Sequence, residues 1–102
     1  METEQSSDKR FYPRYLIRVP FRMTGLTSLG ENVDTEIEVV DISLDGLGFT
    51  STRQFNDGEI LYVTLQGRAQ SSDVNMQILW RDGPRGRYGA RILSILDLTA
   101  EA

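Results

Sequence analysis

From Tyr15 onward, apolar side chains recur at every second position. Tyr15, Ile17, Val19, Phe21 and Met23 fall on one side of the chain, with Leu16, Arg18, Pro20, Arg22 and Thr24 on the other. A period of two is the repeat of a half-buried strand and leaves no room for the 3.6-residue stripe of a helix. The pattern returns in "VDTEIEVVDI", where Ile37 and Val39 alternate with Glu36 and Glu38. It returns again in "DVNMQILWRD", where Val74, Met76, Ile78 and Trp80 share a face. "LGFTST", the β-branched and aromatic "ILYVTLQG", and "RYGARILSI" complete a set of six short strands. Turn-forming "TGLTSLGEN", "FNDGE" and "GPRG" punctuate them. Pro20 has no N–H to give to a ladder, which predicts an edge position or a bulge in the first strand.

Six strands with glycine turns and almost no helical pattern predict an all-β domain, a small six-stranded antiparallel barrel or a sandwich, and closure into a barrel would also remove the edges. The 102 residues fit one domain. Residues 1 to 8 lack hydrophobic periodicity and are expected to form a disordered tail. The barrel domain is expected over residues 9 to 98, with a short tail at 99 to 102. "LDLTAEA" supplies one helical turn at most. No apolar run approaches the roughly 18 residues of a membrane span, and the polar "METEQSSDKR" does not read as a signal peptide. A soluble, cytoplasmic protein is expected, in keeping with the absence of cysteine.

Histidine is absent as well, which takes away the commonest general base and the commonest transition-metal ligand. No pair of carboxylates or serines is marked out by spacing. The expectation is a protein that is not an enzyme and holds neither metal nor cofactor.

Net charge is −4, but it is unevenly spread. Lys9, Arg10, Arg14, Arg18 and Arg22 stand in a stretch without a single acid. Residues 31 to 59 carry eight acids against Arg53 alone. An acidic chain, with a sequence pI near 4.7, is a poor partner for a DNA or RNA polymer, whose affinity grows with each phosphate neutralised. One basic arm suits a small anion better.

Two short segments hold the polar chemistry. In "KRFYPRY", Pro13 disfavours a helix, so Arg10 and Arg14 share a side of an extended arm, about 13 Å apart at ~3.3 Å per residue. Their planar guanidiniums suit phosphate, guanine O6 and N7, or a base face. Arginines at this spacing also occur on solvated strand faces, as for Arg18 and Arg22. In "DISLDG", Asp41 ends a strand, Ser43 follows two residues on, and Gly46 stands where a tight turn takes positive φ. Asp41 and Ser43 have an ordinary role open to them, satisfying backbone donors in the turn. Ionised Asp41 also matches the N1–H and N2–H₂ edge of guanine, and a residue without Cβ lets a ligand approach the backbone.

Together, "RxxxR" at Arg10 and Arg14 and "DxSxxG" at Asp41, Ser43 and Gly46 resemble the signature of the PilZ domain family. "GLGF", "ILWRD" and "YGARI" extend the likeness over residues 9 to 95. The resemblance implies a PilZ-like split barrel with a flexible N-terminal arm, here with little or no C-terminal helix. It implies a bacterial receptor for the second messenger cyclic di-GMP, in which the arm clasps guanine and phosphate while aspartate and serine hold a guanine edge.

Lys9 occupies the position before "RxxxR". A basic residue there accompanies an intercalated pair of ligand molecules in the family, so Lys9 joins the expected ligand-binding set. Trp80 has two roles open: a core position from its alternation, or a stacking face for a purine. Arg81, Arg85 and Arg87, around "GPRG", read as exposed turn charges. A monomer is expected, relaying the messenger to an unidentified effector protein in motility, biofilm or exopolysaccharide control. Family members that lack the motif arginines act as ligand-independent interaction adaptors, the alternative class.

Overall fold

The computed structural model describes residues 15–97. It contains strands β1 (Tyr15–Thr27), β2 (Asn32–Ile42), β3 (Gly46–Ser51), β4 (Ile60–Gln66), β5 (Ser71–Asp82) and β6 (Arg87–Asp97), with one 3-10 turn at Gly83–Arg85. Every pairing is antiparallel, and the order β1-β2-β3-β6-β5-β4 closes when β4 pairs back to β1. The expected six-stranded barrel is therefore present, and no α-helix occurs among the described residues. The tail at residues 1 to 8, the arm cations Lys9, Arg10 and Arg14, and residues 98 to 102 lie outside the described residues.

Alternate side chains of each strand fill the interior, where Met23, Phe49, Leu61, Met76, Ile78 and Tyr88 are fully enclosed. Each such side chain contributes roughly 1.5–3 kcal/mol by leaving water. The rings of Phe49 and Tyr88 stack with centroids 5.4 Å apart. Phe55, from the loop after β3, closes edge-on against Tyr88 at 5.5 Å. The Tyr88 hydroxyl is satisfied there, accepting from the Phe55 N–H at 3.3 Å.

Two features differ from the alternation pattern. β1 continues through "TGLT", which reads as a turn in sequence, and only Ser28 to Glu31 connect it to β2. Gly25 makes this possible: at φ 152° it brings β1 so close to β4 that a Cβ would overlap the Tyr62 carbonyl. Glycine here closes the barrel and does not end the strand. Second, Tyr15 and Val19 share the inward parity yet are exposed, at 60% and 37%. The first half of β1 pairs only with β2, because pairing with β4 begins at Arg22. Pro20 sits in that one-sided half, just beyond a register shift between Leu16 and Val19, as its missing N–H requires.

Candidate functional site

Two β-bulges decide which polar and aromatic groups reach the outer wall. On β2, Val39 pairs with Phe49 and Asp41 pairs with Gly48, so two steps on β2 answer one on β3. Val39 is buried, and plain alternation would send Asp41 inward beside it. The extra residue, Val40, reverses the parity and puts Asp41 outside. Its carboxylate lies over Gly48, where a Cβ would stand 2.8 Å from Oδ2.

β5 repeats the device. Ile78 pairs with Ala90 and Trp80 with Gly89, again two steps against one, so the inward run Val74, Met76, Ile78 does not extend to Trp80. Trp80 is 43% exposed, and the pyrrole half of its indole lies over Gly89. The core position open to Trp80 in sequence is thus excluded by the bulge. Gly48 and Gly89 pair with each other. A strip therefore crosses β2, β3, β6 and β5 as Asp41, Gly48, Gly89, Trp80. The Asp41 carboxylate covers Gly48 and the indole covers Gly89, so the strip presents a carboxylate at one end and an aromatic ring at the other.

Beside Asp41 the wall sinks into a groove of about 540 Å³, lined by Leu16, Arg18, Val40, Thr50 and Arg87 among others. Arg18 is paired with Glu38 at 3.4 Å. Arg87 is half-buried, and its Nε is enclosed without a hydrogen-bond partner among the described residues. A larger concavity of about 640 Å³ lies nearby, but Glu36 and Glu38 line it. Its cation, Arg85, is committed to Asp82 at 2.9 Å, so this surface is ill-suited to an anion. Arg22 is also committed: its bond to Asp34 at 2.6 Å, with that charge and Glu36 behind it, holds the guanidinium above its ordinary pKa.

The bend after Asp41 spends its polar groups on itself. The Ser43 hydroxyl donates to Asp45 Oδ1 at 2.8 Å, and the Ser43 N–H donates to the Gly46 carbonyl at 2.9 Å. The Asp45 carbonyl accepts from Ile92 N–H at 2.8 Å, which ties the bend to β6. Gly46 does not take positive φ. A Cβ there would stand 2.6 Å from the Ala90 carbonyl oxygen, so the absent side chain admits β6 and leaves no opening for a ligand.

Of the residues expected to bind ligand, Asp41 and Trp80 stand on one outer strip. Ser43 and Gly46 shape the turn that follows it, and Lys9, Arg10 and Arg14 lie outside the described residues. Sequence reasoning missed Gly48, Gly89 and Arg87. The glycines had a signal: in "GLGF" and "RYGAR" they hold the outward parity between apolar neighbours. Among the described residues, no cluster of three or more His, Cys, Asp and Glu is placed for a metal ion, and no helix is long and apolar enough to cross a membrane.

The comparisons agree with this architecture. The barrel is similar to a solved structure described as the PilZ domain with c-di-GMP of YcgR from Escherichia coli. Its TM-score is 0.60 at 17% identity, covering 84% of this chain and 79% of that one. No curated protein sequence matches the chain. The model of the PilZ domain family matches residues 8–102, nearly the whole length. With its closed six-stranded barrel and that match, the chain belongs to the PilZ domain family.

Proposed function

We propose that the chain is a non-catalytic receptor that binds cyclic di-GMP on its outer wall and passes the signal to an effector protein. One observation carries this reading: two independent bulges turn Asp41 and Trp80 outward onto one strip. A carboxylate accepts from two donors at once, the requirement of a guanine N1–H and N2–H₂ edge. The exposed indole offers a stacking face worth ~1–3 kcal/mol per base. The solved relative, described with c-di-GMP, has the same barrel.

The basic arm completes the site. Leu16 lines the groove and pairs with Asp41, which supports a reading in which Lys9, Arg10 and Arg14 act there. These cations neutralise the two phosphates of the ligand and cover the bases. The setting is the bacterial cytoplasm, and the output is motility, biofilm or exopolysaccharide control through the effector.

Isothermal titration with cyclic di-GMP tests the reading. Saturable binding is expected, and Asp41→Ala is expected to weaken it by roughly 1–3 kcal/mol, the scale of a bidentate base contact. Asp41 is outside the core, so the variant keeps its barrel. Unchanged affinity in folded Asp41→Ala, or no binding by the unmodified protein, overturns the proposal.

A further inference from the structure

We propose that Arg87 is a further ligand-binding residue, one that holds a phosphodiester oxygen of the nucleotide; this rests on the reading above. Arg87 faces the outer wall from β6, where it pairs with Thr50 on one side and Asp82 on the other. It lines the same groove as Asp41. Although half-buried, its Nε has no acceptor among the described residues. Buried donors are almost always satisfied, and an exception at a concave surface marks a place where a partner is missing.

Its charge also forms no ion pair among the described residues. Asp82, its neighbour on β5, is taken by Arg85 at 2.9 Å, and Glu38 is approached by Arg18 at 3.4 Å. Arg85, two positions earlier, is the opposite case: exposed, paired and outside the groove. Both lie in the basic turn region "RDGPRGR", and only the fold separates them.

The chemistry that fits is a phosphodiester. A guanidinium also donates from its two Nη groups along one edge, which matches two phosphate oxygens in a charge-assisted bidentate contact. Position supports the same assignment. Arg87 stands two residues along β6 from Gly89, about 7 Å at ~3.4 Å per residue. That is the span over which a sugar separates a base from its phosphate. A base stacked against Trp80 with its edge at Asp41 brings its phosphate toward Arg87.

The 102-residue chain is titrated with cyclic di-GMP, following heat and the emission of Trp80, its single tryptophan. Arg87→Met keeps the apolar stem and is expected to lose roughly ten- to a hundredfold in affinity, the scale of a charged hydrogen bond. Arg87→Lys keeps the charge but not the fork and is expected to fall between. Arg85→Ala is expected to stay within about twofold, as for an exposed ion pair. A second measurement needs no variant: the Arg87 guanidinium resonances of the unmodified protein shift when a phosphate oxygen arrives. A folded Arg87→Met that binds as the parent does, or guanidinium resonances unmoved at saturation, overturns this assignment alone. Absence of binding by the unmodified protein overturns the receptor reading with it.

Discussion

Gly89→Ala tests whether the indole of Trp80 is what reserves that position for glycine. The new Cβ would overlap Nε1, Cε2 and Cδ1 of the ring, so Trp80 must swing off the strip. At 43% exposure, somewhat over half of its surface is now covered. Taking ~250 Å² for a tryptophan, the covered part is about 140 Å². At ~25 cal/mol per Å² this sets a ceiling of about 3.5 kcal/mol. A displaced indole still touches its neighbours, and the unfolded chain is not fully extended, so the expected loss is about 1–2 kcal/mol. Urea unfolding followed by far-UV circular dichroism gives the stability, and the emission of Trp80 is expected to shift to longer wavelength. The decisive arm is the double variant. With Trp80→Ala already in place the clash is gone, and alanine is the better strand residue, so Gly89→Ala is expected to be neutral or slightly stabilising. An equal loss in both backgrounds would refute the close approach as the reason for glycine.

Three further outcomes are expected. Gly46→Ala brings a Cβ to 2.6 Å from the Ala90 carbonyl, a backbone atom that cannot turn aside, and is expected to cost about 1–3 kcal/mol, read as a lower Tm. Ser43→Ala removes the 2.8 Å bond to Asp45 and is expected to lower stability by about 0.5–1.5 kcal/mol in denaturant titration. It is expected to affect cyclic di-GMP affinity less than Asp41→Ala, because the hydroxyl is already engaged. Calorimetric stoichiometry addresses Lys9: two ligand molecules per chain are expected, since stacked dianions need added positive charge at short range. Lys9→Leu is expected to lower the ratio toward one, and a ratio of one in the unmodified protein would refute that role.

Much of the barrel is legible in the chain because inward side chains alternate with outward ones wherever a strand is regular. Ile37 with Val39, and Val74 with Met76 and Ile78, follow parity into the core. The six strands, most of the turns between them, and the motifs of the arm and the bend can all be read without a structure. What parity cannot carry is the effect of one added residue. At Val40 and Leu79 the ladder slips by a single position, and the following side chain changes face. Asp41 and Trp80 owe their place on the outer wall to those slips. A bulge forms when two neighbouring strands disagree in register, and register belongs to the pair. The two glycines of the strip lie on different strands and meet only because β3 and β6 pair across the barrel. Arg85 and Arg87 are alike in sequence, yet one finds Asp82 and solvent while the other finds a groove without an acceptor among the described residues. The local pattern determined the strands and their inward faces. Which outward groups converge depended on closure, because only closure sets side by side residues that the chain holds far apart.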